Sequence, residues 1–116
     1  PDIIVPVPLQ RQRLRERGYN QAGLLAREVG KWLEVPVNHK GLVRTGYPGP
    51  QVRSATGGER EANVGGAFLA ARDFSGLSVV VVDDVTITGS TFEACAAALR
   101  DAGVGDAWGL AFAREI

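Results

Sequence analysis

The sequence is poorest in the residues that build disulfides, metal clusters and covalent active sites. It has one cysteine, one histidine and no methionine among 116 residues. The single Cys95 excludes an internal disulfide and a zinc site made from cysteine pairs, and its alanine-rich helical surroundings mark it as a core residue. His39 stands alone in a polar turn, where a histidine is more often incidental than a ligand, and nothing in the chain offers a Ser-His-Asp or Cys-His pattern. No run approaches the roughly 20 apolar residues of a membrane helix, and no signal peptide precedes the first strand-like run. The expectation is therefore a soluble, cytoplasmic chain with no membrane partner. A start at Pro1 inside a strand-like run, together with the missing methionine, reads as a fragment truncated at its N-terminus.

With 45% hydrophobic residues, the chain suits one compact domain over residues 1 to 116. Net charge is zero, but it is unevenly spread. Residues 1 to 60 carry ten Lys/Arg against five acids, and residues 61 to 116 carry three Arg against eight acids. Such an asymmetry suits a cleft with one anion-binding wall and one wall of carboxylates; scattered solvated charge is the plainer reading.

The order of elements is legible from periodicity. Ile3-Ile4-Val5 reads as a buried strand closed by Pro6-Val7-Pro8. Asn20 caps a helix with Ala22, Leu25, Val29 and Trp32 or Leu33 on one face, and Pro36 stops it. A weak strand is expected within Val35 to Val43. Residues 44 to 58 turn to Gly, Pro, Thr, Ser and Gln, which predicts a flexible lid over about 44–63. Strands follow at Ala67 to Ala71 and at Leu77 to Val82, the second continuous and apolar as in a parallel strand covered on both faces. Ser90-Thr91-Phe92-Glu93 has capping-box spacing, with a stripe of Phe92, Cys95, Ala96 and Leu99 and a stop at Gly103. Ala107 to Ala113 supplies the last strand. Trp32 and Trp108, among apolar neighbours, are expected in the core. The fold class is α/β, a three-layer fold with a mainly parallel sheet.

The chemistry concentrates after the central strand, in Asp83-Asp84-Val85-Thr86-Ile87-Thr88-Gly89-Ser90-Thr91. Ligands of open α/β sheets lie beyond the carboxyl ends of the strands, where this loop belongs. Gly89 permits a tight turn, and amides and hydroxyls of Thr88 to Thr91 at a helix start suit a phosphate. Adjacent carboxylates repel phosphate, so Asp83 and Asp84 should meet sugar hydroxyls or a magnesium ion carried by a diphosphate. A helix cap alone accounts for one polar residue and not for this set. No Gly-Lys-Ser/Thr follows, which excludes a Walker loop, and no Gly-x-Gly-x-x-Gly is present in this loop.

The segment from Val79 to Thr91 closely resembles the phosphoribosyl pyrophosphate signature of type I phosphoribosyltransferases, with four apolar residues, two acids and a Thr-Gly turn. Within that superfamily, Val5-Pro6-Val7-Pro8, Arg17-Gly18-Tyr19-Asn20-Gln21, Pro50-Gln51, Arg60 with Asn63, and Gly66-Ala67-Phe68 look like the ComF family of competence-associated proteins. The likeness runs along nearly the whole chain. It implies a type I phosphoribosyltransferase-like domain that binds phosphoribosyl pyrophosphate with ligand-bound Mg2+ and no direct metal ligands. Asp83 and Asp84 would contact the ribose, with Thr86 and Ile87 in the same loop, and Thr88, Gly89, Ser90 and Thr91 would hold the 5'-phosphate. Val7, Pro8 and Leu9 would meet pyrophosphate with Arg17 as a charge partner, and Gln51, Arg60 and Asn63 would belong to the lid. Arg60 and Asn63 also suit a plainer task, anchoring the lid's return.

Two departures bear on activity. Purine-salvage relatives place a third acid where this chain has Ile87, and an aliphatic side chain cannot move a proton. ComF proteins also begin with a cysteine-rich, zinc-ribbon-like segment, and this chain has neither that nor an obvious hood for a nucleobase. Two functions stay open: transfer of phosphoribosyl to an acceptor with release of pyrophosphate, or a non-catalytic protein of the same fold serving DNA uptake with a helicase partner or single-stranded DNA. Arg11, Arg13, Arg15 and Arg17, alternating in a loop before the first helix, suit pyrophosphate, a nucleic-acid backbone or plain solvent.

Overall fold

A computed structural model describes residues 1 to 45, 67 to 86 and 89 to 114, apart from the side chains of Thr86 and Arg114. Strands β1 (Ile3–Pro6), β4 (Ser78–Thr86) and β5 (Asp106–Arg114) form a parallel sheet in the order β1-β4-β5. Its register runs Ile3↔Val79 to Pro6↔Val82 on one side of β4 and Ser78↔Asp106 to Thr86↔Arg114 on the other. Strands β2 (Leu42–Arg44) and β3 (Phe68–Ala70) form a separate antiparallel pair. Among the described residues the helices are α1 (Arg11–Arg17), α2 (Gln21–Leu33) and α3 (Ser90–Asp101).

Alternation along the strands divides the interior into two layers. Ile3, Val5, Val79 and Val81 pack with Leu42, Phe68, Phe74 and with Cys95, Ala98 and Leu99 of α3. Ile4 and Val82 face the other way, onto Ala26 and Val29 of α2. Helices on both faces of a parallel sheet are the three-layer α/β arrangement expected, and it is compatible with a phosphoribosyltransferase-like fold.

Several local expectations are corrected. The strand sought within Val35 to Val43 reduces to a bridge between Val37 and Ile4, followed by a turn in which Asn38 Oδ1 accepts from Lys40 N–H, and only then β2. Ile4 N–H donates to the Pro36 carbonyl and Asn38 N–H to the Ile4 carbonyl, but Pro36 has no N–H to extend the ladder, so the pairing stops at this one bridge. Arg44, expected to open the lid, is the last residue of β2, and Thr45 N–H donates to the Ala67 carbonyl at 2.9 Å. The remainder of the expected lid, with Gln51, Arg60 and Asn63, lies outside the described residues.

Neither tryptophan is in the core: Trp32 is 86% exposed and Trp108 52% exposed. The face that α2 buries is made of small residues, Ala22, Gly23, Ala26, Val29 and Gly30. A Cβ on Gly30 would lie 2.7 Å from Val37 Cγ2 and 2.9 Å from the Val35 carbonyl oxygen. Close approach of helix to sheet, rather than side-chain size, selected that face, and it turns the bulky Trp32 and Leu33 outward. The arginine alternation also falls on a helix, α1, rather than in a loop. At 3.6 residues per turn, Arg11 and Arg15 share one side while Arg13 and Arg17 share another.

Candidate functional site

Because β1 and β4 are parallel neighbours, their carboxyl ends open on the same edge of the sheet. Pro6 pairs with Val82, and Val7 N–H donates to the Val82 carbonyl at 2.9 Å. The Val7-Pro8-Leu9 turn and the Asp83 to Thr91 segment, 76 residues apart in sequence at their first members, are thus brought together by sheet register. Ligands of open α/β sheets collect at such an edge.

Both acids lie within β4, which runs on to Thr86, and not in the loop after it. Alternation puts Asp83 on the face of Val79 and Val81 and Asp84 on that of Val80 and Val82. Each carboxylate is half-buried and each orders the backbone beyond it: Asp84 N–H donates to Asp83 Oδ1, and Val85 N–H to Asp84 Oδ1, both at 2.9 Å. Burial pushes the Asp83 carboxyl up to about 6. The nearby Asp84 charge adds to that rise, and the Arg44 guanidinium and the Asp84 N–H oppose it without cancelling it.

Helix α3 begins differently from the expected capping box. Gly89 is the cap residue, at φ +84°, and Ser90 is the first helical residue, so Ser90 is not the cap. Among the described residues nothing would meet a Cβ on Gly89; the left-handed backbone is what requires glycine. Glu93 N–H then donates to the Gly89 carbonyl at 3.1 Å. Ser90 is exposed and Thr91 half-buried at the positive end of the helix dipole. Thr86 closes β4, while Ile87 and Thr88 lie outside the described residues.

The opposite wall is pinned at two consecutive carbonyls. Asn20 Nδ2 donates to the Val7 carbonyl at 3.1 Å, while Asn20 Oδ1 accepts from Ala22 N–H at 3.1 Å and so caps α2. Arg44 Nε donates to the Pro8 carbonyl at 2.8 Å, and its guanidinium lies 4.7 Å above the Phe68 ring. Burial lowers the Arg44 pKa, and the Asp83 charge acts against that fall. Arg17, by contrast, is exposed at the end of α1. From sequence, Arg44 reads as a basic residue at the start of the lid, and Asn20 as a helix cap within a family-like segment; neither reads as a donor to the β1 loop. The signal they carried, a β1 loop whose carbonyls need donors, becomes visible only in three dimensions.

Beside this wall is an open cavity of about 550 Å³ lined by Pro8, Leu9, Arg11, Asn20, Lys40 and Arg44, among others. Among the described residues, four cationic side chains, Arg11, Arg27, Lys40 and Arg44, border it, with no acidic one. Asp83 and Asp84 are not among its walls. The Cys95 thiol is buried and pushed up to about 12 by burial, which makes it inert as a nucleophile. Among the described residues no group of three or more His, Cys, Asp or Glu is placed to hold a metal ion. No described helix is long and apolar enough to cross a membrane.

No protein-family model matches the chain. Three relatives, however, align with most of it. Competence protein F of Haemophilus influenzae is 38% identical over 116 residues, 96% of this chain and 50% of that protein. DNA utilization protein YhgH of Escherichia coli is 36% identical over 91 residues, 78% of this chain and 40% of that protein. Competence protein ComFC of Bacillus subtilis is 30% identical over 103 residues, 87% of this chain and 39% of that protein. The chain thus spans half the length of these relatives or less. With the acid pair, the Gly89 turn and the Val5 to Pro8 strand end assembled on one sheet edge, and with these relatives aligned across it, the chain belongs to the ComF family.

Proposed function

We propose that this chain binds phosphoribosyl pyrophosphate at the carboxyl edge of its parallel sheet and transfers the phosphoribosyl group to an acceptor. The observation that carries the reading is the convergence there of an acid pair, a glycine-capped helix N-terminus and a β1 loop pinned at Val7 and Pro8. Asp83 and Asp84 accept from the ribose hydroxyls, and the Thr88 to Thr91 segment takes the 5'-phosphate. A magnesium ion carried by the diphosphate would lie near Asp83 and Asp84 without direct protein ligands, and would supply charge to offset that of the departing diphosphate. In the transfer, the bond from the anomeric carbon to pyrophosphate breaks, pyrophosphate keeps the electron pair, and the acceptor's lone pair forms the new bond. Ile87 supplies no acid or base, so the protein contributes orientation and charge stabilisation of the cationic sugar.

A second reading has its own observation. Four cations and no acid among the described residues around the cavity suit a phosphodiester backbone, and relatives carry the names competence protein and DNA utilization protein. In that reading the chain is a non-catalytic member of the fold that serves DNA uptake, with single-stranded DNA or a helicase as partner.

Titration calorimetry of the full-length protein with phosphoribosyl pyrophosphate and magnesium separates the two. Binding is expected, weakened by about 1 to 3 kcal/mol in Asp84→Asn, the usual loss for a hydrogen bond to a charged group. No heat from folded wild type would sink the site. Pyrophosphate release is then measured with a panel of bases and amines. Silence across the panel, with tight binding of single strands lost on removing Arg11 and Arg27, selects the second reading.

A further inference from the structure

Strand β5 is an edge of the parallel sheet, paired with β4 alone among the described residues. Its small residues turn toward α3, where a Cβ on Gly109 would meet the Phe92 ring. By alternation Trp108, Leu110 and Phe112 point to the opposite face, the one that carries Ile4, Val82 and α2. They are 52%, 39% and 52% exposed. Such a row is out of keeping with a parallel sheet, whose two faces are ordinarily both covered. Strands lie about 4.8 Å apart and packed helices about 10 Å apart, so one helix covers about two strands. On this face α2 takes Ile4 of β1 and Val82 of β4, and the cluster it forms with them includes no described residue of β5. The uncovered strip is therefore about one helix wide.

The family has the chain to cover it. The alignment takes in 96% of this chain but 50% of competence protein F, so that relative carries as much chain again outside the matched part. Crossover handedness says which part can reach this face. Helix α2 carries the chain from β1 to the Val37 bridge, away from β4, on the Val82 face. Helix α3 carries it the other way, from β4 to β5, on the Val79 face. Opposite directions on opposite faces share one hand, as parallel crossovers do. A segment continuing outward from β5 falls by that rule on the α3 face, whereas one leading into β1 from the β5 side falls on the α2 face, over the exposed row.

We propose that Trp108, Leu110 and Phe112 seat an amphipathic helix from the part of the ComF chain that precedes Pro1, lying beside α2. Its apolar stripe, repeating at three and four residues, meets the three side chains, and its other face is polar. Asp84 shares this face with Val80 and Val82, so the same helix walls the acid pair on the side away from Arg44. The proposal rests on the sheet and its packing, not on the identity of any ligand.

The test uses the full-length protein with the photo-crosslinker p-benzoylphenylalanine in place of Trp108 or of Phe112, and maps the cross-linked peptides by mass spectrometry. The expected products lie within one chain and join β5 to residues before Pro1. Products that join two copies, products that reach only residues after Ile116 or the elements described above, and an absence of products each overturn the proposal. Trp108→Ser and Phe112→Ser in the full-length protein supply a second measurement. A covered aromatic loses its contacts in each, and the melting midpoint should fall by roughly 5 to 15 °C. Midpoints within about 2 °C of wild type in both variants, the behaviour of side chains that face water, also overturn it. Where a serine variant does not fold, the cross-links decide alone.

Discussion

The Asp83 carboxyl gives the site a pH dependence that an ordinary surface aspartate would not. Half-buried on β4 beside Asp84, it has its pKa raised from 3.8 to about 6. If only the carboxylate accepts from ribose hydroxyls, affinity follows its ionised fraction. That fraction falls from nearly all at pH 7.5 to about one tenth at pH 5.0, so the dissociation constant should rise about tenfold. Stability moves in the opposite sense. A carboxyl whose folded pKa is raised favours the fold while protonated, so its contribution is complete below about pH 4 and is lost as pH climbs through 6. Asp83→Asn should therefore be more stable than wild type at pH 7.5, by about 1 kcal/mol once half exposure to solvent is allowed for, while binding ligand more weakly. The assay is calorimetry from pH 5 to 8 with parallel thermal melts, on wild type and Asp83→Asn. Comparing the two cancels the titration of the ligand's own phosphate, which also falls near pH 6. Identical pH profiles for the two proteins, or an Asp83→Asn melt below wild type at pH 7.5, would refute the reasoning.

Other expectations follow from particular contacts. Asn20→Ala removes the α2 cap and the donor to the Val7 carbonyl together, and should cost about 1 to 2 kcal/mol in urea unfolding; a loss under 0.5 kcal/mol would mean that water replaces both bonds. A Cβ on Gly109 would meet Phe92 Cγ at 2.8 Å, so Gly109→Ala should destabilise by about 1 to 3 kcal/mol and displace the first turn of α3. The same change in a Phe92→Ala background should cost much less, and strict additivity would show that the clash is relieved elsewhere.

Much of the fold was legible because its signals are local. The continuous apolar run before Asp83 could only be a strand covered on both faces, and Asn20 at the head of an amphipathic segment could only start a helix. Register then decided what propensity could not. The acids prolong β4 because Ala111 and Ala113 of β5 continue the ladder past Val82, an interaction between segments distant in sequence. The face buried by α2 was misread for a related reason. Counting large apolar residues favoured Trp32, whereas contact with Val35 and Val37 demanded glycine and alanine.

The sequence by itself determined the chemistry of the principal loop, since two acids followed by Gly89, Ser90 and Thr91 carry their donor and acceptor pattern wherever they are placed. It also determined the alternation of strands and helices, because hydrophobic period is a property of neighbours along the chain. Only the tertiary structure decided that Arg44 belongs to this site. Its partners Pro8, Phe68 and Asp83 lie 36, 24 and 39 residues away in sequence, and no local pattern marks one arginine among the eight in residues 1 to 60. The same holds for the opposite faces taken by Asp83 and Asp84. Adjacency in sequence suggested one shared ligand surface, while the pleat of β4 separates their directions and leaves Asp83 on the side of Arg44.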